Sequence, residues 1–188
     1  PINKQSLLQA LQKKVENHLH IAVDTFQNMA EQLLLAPSAT GGWSIAQCLQ
    51  HLNEYGHYYL PAIEKTIFRH PDTTKLNFKS SWFGNYFTKM MEPAKKKKKM
   101  KAFKKYIPPA QLNAHAVIAE FIQQQEQMIK FLTKALSADL DTRIPISLTA
   151  LIRLKLGDTF QFVIAHNERH VQQAKRNIII HQINTIQT

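Results

Sequence analysis

Cysteine is almost missing from this chain. Cys48 on its own can form neither an internal disulfide nor a cysteine-rich zinc site, which fits a reducing compartment. Glycine and proline are scarce, at 5 and 8 of 188 residues, while 44% of residues are hydrophobic. That balance predicts one compact domain over residues 1–188 with a real core. The opening PINKQSLLQALQKKVENHLH lacks the apolar run of a signal peptide, and no charge-free stretch of about 20 apolar residues follows. The expectation is a soluble, cytoplasmic protein with no membrane partner. Acidic residues are also few, 13 against 24 Lys and Arg, for a net charge of +11. Eight of those lysines fall between Lys95 and Lys105, and without them the remainder carries only +3. A nucleic-acid binder spreads Lys and Arg along a face and favours Arg for bidentate contacts. A local lysine-only run reads instead as a flexible, solvated loop over about 92–107, and no nucleic-acid partner is expected. The other role open to it is contact with phosphate or an anionic membrane.

What the chain does have is helical periodicity. Leu8, Leu11, Val15, Leu19, Ala22, Phe26, Met29 and Leu33 predict a first helix over about 4–35, with His18 and His20 at its surface or edge. Ser44 and Gln47 form a capping box for a second helix, with Trp43 placed to staple onto Cys48. Ile45, Leu49, Leu52, Tyr59 and Ile63 make its apolar stripe, and Pro61 predicts a kink. A long connection from Pro71 to Pro109 carries SSWFGNYFTKMM, which suits a short helix or cap. Pro108 and Pro109 open a third helix reaching about Ser137, with His115 and Gln125 on its stripe. TRIPISLTALIRLKL is an irregular return, and Asp158 caps a last helix bearing Phe160, Ile164, Val171 and Ala174. Four amphipathic helices without a convincing strand predict an all-α four-helix bundle, with a long crossover connection between helices 2 and 3.

The chemistry-bearing residues are histidines. His166 and His170 lie four apart on the last helix, so their imidazoles project side by side and can share one divalent ion. His51, beside the apolar seam of the second helix, is either a hydrogen-bonded core histidine or a third ligand. Glu54 falls on roughly the same face. It is either a solvated surface glutamate, a hydrogen-bond acceptor for a ligand imidazole, or the catalytic base. His57, six residues after His51, points elsewhere.

GGWSIAQCLQHLNEYGHYY resembles the opening of the second helix in the DinB/YfiT-like superfamily, and LGDTFQFVIAHNERHVQQAKR resembles that family's late helix with H-x-x-x-H. MEPAKKKKKMKAFKKYIPP is similar to its loop between helices 2 and 3. The resemblance covers most of the chain. It implies a bacterial four-helix bundle in which His51, His166 and His170 hold a divalent metal, zinc, nickel or iron, in an open site at one end. It also implies a metalloenzyme that activates a low-molecular-weight thiol or water on an unidentified small-molecule substrate, as a thiol S-transferase or a hydrolase. A homodimer formed through helix faces is a further implication, with Ile178 to Ile180 and Ile183 as contacts. The different class of answer is a non-catalytic metal-binding or stress-related protein whose basic loop meets an acidic partner.

Overall fold

The computed structural model describes residues 1–39, 41–71, 74–92 and 103–186, with side chains of the last helix as far as Ile178. Lys95 to Lys99 and Lys101 lie outside what it describes, as do the side chains of the isoleucines from Ile179 onward. The chain runs β1 (Ile2–Asn3), α1 (Lys4–Asp24), α2 (Glu31–Leu35), α3 (Ile45–Arg69), β2 (Asn77–Phe78), α4 (Trp82–Met91), α5 (Ala114–Lys134), β3 (Arg143–Ile146), β4 (Thr149–Lys155) and α6 (Leu156–Ile186). No helix among the described residues is long and apolar enough to cross a membrane.

Helices α1, α3, α5 and α6 form the four-helix bundle. The first two each pack on α5 and α6, so α1 and α3, consecutive in the bundle, face each other across its diagonal. The long connection after α3 crosses the bundle to lay α4 on α6 before it returns to α5. Its placement is electrostatic at both ends. Asp158 of α6 accepts from the Ser81 N–H at 3.0 Å and the Ser81 hydroxyl at 2.7 Å, beside the N-terminus of α4. Arg169 donates to the Met90 carbonyl at 3.4 Å near its C-terminus. Each charge opposes the helix dipole it meets.

Several local expectations are corrected. The first helix stops at Asp24 and a 3-10 turn separates it from α2, so 4–35 is not continuous. The third helix begins at Ala114, capped by the Asn113 side chain, because the prolines at 108 and 109 lie in an extended approach. His115, on its first turn, is exposed. The supposedly irregular return is a hairpin in which Ile144 pairs with Leu154, and a register shift at Pro145 and Ile146 breaks the alternation. Helix α6 opens before Asp158, whose carboxylate serves α4 instead.

The interior has two apolar clusters. One gathers Leu11, Val15, Tyr59, Ile63, Leu132 and Phe160, and the other Ala22, Phe26, Ile45, Leu49, Phe121 and Val171. Between them on the four helices lie His18, His51, Gln125, His166 and Asn167, all buried. Buried polar groups are costly without partners, and most of these find one another across helices. Asn167 donates to Gln125 at 3.2 Å, and His18 meets Glu168 at 2.6 Å.

Candidate metal centre

Helix α3 brings His51 into this polar layer, and α6 brings His166 and, one turn later, His170. One ligand atom from each of the three imidazoles lies within 4.8 Å of the others. His51 Nε2 stands 3.2 Å from His166 Nε2. Two nitrogens held tetrahedrally at about 2.0–2.1 Å from one zinc ion are about 3.3 Å apart, so this edge has the dimension of a shared ligand pair.

The tautomers are set from outside. His51 Nδ1–H donates to the Tyr106 carbonyl at 2.7 Å, which leaves Nε2 bare and turned toward His166. His170 Nδ1–H donates to the Gln173 side-chain oxygen at 3.0 Å, which leaves its Nε2 bare in the same way. His166 Nδ1 is buried without a partner among the described residues. None of the hydrogen bonds made by these three rings goes to a carboxylate.

Burial and mutual repulsion keep the rings neutral. Burial lowers the His51 value below 6.5, against the Tyr106 hydrogen bond and the charge of Glu54. His166 lies well below 6.5, first through burial and then through His170, His51 and Arg169. Burial brings His170 down to about 3, helped by His51 and Arg169. Neutral imidazole is the form that binds metal.

Aromatic rings wall the cluster. Trp43 lies 4.8 Å from His51 and 5.7 Å from His170, centroid to centroid, and Tyr55 lies 4.4 Å from His166. Phe162 stacks on His166 at an interplanar angle of 5°. The sequence marks Trp43 only as a staple, and its ring contact with two histidines had no signal there beyond its place before the helix cap. Tyr106, from the segment after the lysine run, was likewise missed as a partner of His51.

Glu54 does not touch the cluster. Its side chain is 43% exposed, accepts from Gln50 at 2.8 Å and sits 3.7 Å from His57 Nδ1. His57 in turn meets Glu120 across to α5. His18, expected at the surface, is fully buried and bound to Glu168, whose carboxyl it draws down to about 2. The correction has a simple cause: His18, not Leu19, occupies the inward position of α1. Burial pushes the Cys48 thiol up to about 12, so it is no nucleophile.

The model of the DinB superfamily matches residues 15–174. The chain belongs to the DinB superfamily. Its fold is also that of a solved structure described as "YfiT from Bacillus subtilis is a probable metal-dependent hydrolase with an unusual four-helix bundle topology". That likeness has a TM-score of 0.53 at 12% identity and covers 92% of this chain and 84% of that one. At such identity it speaks for the fold alone. No curated protein matches the chain. The match of this DinB-superfamily chain begins within α1 and ends within α6, so it takes in all three histidines.

Proposed function

We propose that His51, His166 and His170 bind one divalent metal ion, zinc, nickel or iron, and that the protein is a metalloenzyme acting on a small molecule. The observation that carries this reading is the pair of Nδ1 hydrogen bonds, from His51 to Tyr106 and from His170 to Gln173, which leave Nε2 bare on both rings. Such outer partners orient metal-binding histidines and raise their basicity. A divalent ion held there supplies Lewis acidity that polarises and acidifies a thiol or water. The chain's own residues do the rest. Trp43 and Phe162 exclude solvent from the imidazole faces, and Arg169 adds positive charge that favours an anionic ligand.

The description of YfiT as a probable metal-dependent hydrolase favours water as the nucleophile. A specific feature here favours a low-molecular-weight thiol, and with it thiol transfer. A thiol loses its proton far more readily than water does, and among the described residues no carboxylate hydrogen-bonds to the three rings. Glu54 then acts on His51 only through its charge. With Cys48 buried, the thiol must arrive as a cosubstrate. Elemental analysis of untagged protein tests the reading. Wild type should carry about one metal per chain and His166→Ala none, and wild type that takes up no zinc, nickel or iron(II) would falsify it.

A further inference from the structure

The tyrosine hydroxyls near the cluster fall into two kinds. Tyr58 donates to the carbonyls of Pro145 and Ile146 at 3.2 and 3.3 Å, and the Tyr59 hydroxyl accepts from the Ser147 N–H at 3.1 Å. Tyr106 reaches the Ser147 carbonyl at 3.5 Å. All three hold the β3–β4 turn against the bundle. Tyr55 differs: its hydroxyl hydrogen-bonds no described residue, although the residue is only 8% exposed. Its ring lies 4.4 Å from His166 and 5.1 Å from His51, closer to the two imidazoles than that of any other tyrosine. The oxygen is not among the fully enclosed polar atoms that lack a partner, so it opens on space that solvent can reach.

A mostly buried hydroxyl without a protein partner is unusual, because hydrogen-bonding capacity left unused in an interior costs stability. Its neighbour Glu54 is turned away toward Gln50 and His57. Among the described residues, the phenol whose ring packs on both imidazoles is therefore the tyrosine left free to donate to a ligand beside the cluster. The Tyr106 carbonyl and the Gln173 side-chain oxygen are both acceptors already occupied by ring N–H groups.

We propose that Tyr55 is a substrate-binding residue of the three-histidine site, donating its O–H hydrogen bond to the anionic sulfur or oxygen of a ligand held there. This rests on the metal-site reading above. A hydrogen bond to a charged acceptor strengthens with the charge, so the hydroxyl favours the thiolate over the thiol and an oxyanion over its neutral parent.

Tyr55→Phe keeps the ring and removes only the hydroxyl. The test is titration of cobalt(II)-loaded protein with 2-mercaptoethanol and, separately, with azide, followed by visible absorption, in wild type, Tyr55→Phe and Tyr59→Phe. Cobalt stoichiometry should be the same in all three. The Kd of both probes should rise about tenfold in Tyr55→Phe and hold in Tyr59→Phe. Thermal melting should show the opposite order, with Tyr59→Phe lowered and Tyr55→Phe unchanged or raised. Equal probe affinity in Tyr55→Phe and wild type overturns the proposal, as does a cobalt-loaded wild type that takes up neither probe. So does a loss of melting temperature in Tyr55→Phe that matches Tyr59→Phe. Failure of wild type to bind cobalt is a separate result that removes the metal site itself and this proposal with it.

Discussion

His18 and His51 both lie in the polar layer of the bundle, with 0% and 3% of their surface exposed, and both reach α6. Their partners differ. His18 offers Nε2 to the carboxylate of Glu168, two residues past His166, and so consumes its outward nitrogen in a hydrogen bond. His51 gives Nδ1 to a backbone carbonyl and keeps Nε2 bare. The first arrangement fastens α1 to the back of α6, and the second leaves α3 and α6 facing each other through two Nε2 atoms 3.2 Å apart. A histidine's value as a ligand thus depends less on its burial than on which nitrogen its neighbour takes.

The largest effect should come from breaking the front. His51→Ala should remove metal altogether by elemental analysis, with the fold retained in circular dichroism. Breaking the back should do the reverse. His18→Ala leaves Glu168 without its buried partner and should cost about 3 kcal/mol in urea denaturation, with metal stoichiometry unchanged. Gln173→Ala sharpens the contrast, since it frees the His170 ring without touching a ligand atom. Its metal affinity should fall about tenfold by competition with a chelator.

The two sides also separate in pH. His170 is lowered from 6.5 to about 3 and Glu168 from 4.5 to about 2, so in both cases the unfolded chain binds its proton first as pH falls. Metal-free protein should therefore hold its stability above about pH 6.5. It should lose stability as pH drops toward 3 through His170, and again from 4.5 toward 2 through Glu168. His170→Asn should flatten the upper limb in acid denaturation and Glu168→Gln the lower one. The smallest effect belongs to the lysine run: Lys95 to Lys99 changed to Gln should leave melting and metal content where they were.

Much of the fold was legible because helix periodicity is local. Ile45, Leu49, Leu52, Tyr59 and Ile63 mark the buried face of α3 without reference to any other segment. The i, i+4 spacing of His166 and His170 is local in the same sense. What escaped depends on distant partners. Glu168 is 150 residues from His18, and nothing near His18 announces that its position is interior. The Tyr106 carbonyl is 55 residues from His51 and belongs to the backbone, which no side-chain pattern encodes. The β3–β4 hairpin was hidden by its own irregularity, with Pro145 in β3, a register shift beside it, and Leu151 93% exposed where alternation would favour a polar residue.

Helix α6 is fastened on every side: by Asp158 and Arg169 to α4, Asn167 to α5, Glu168 to α1, and Asn177 to the Trp43 carbonyl. A helix keyed around its whole circumference has no neighbouring orientation to slip into, because a turn of one residue, about 100°, breaks every contact together. Damage on the back of α6 should therefore divide the molecules into two populations, rather than shift all of them slightly. Metal titration of such a variant would show full stoichiometry in water and, as urea is added, a shrinking fraction of sites, each with undiminished affinity.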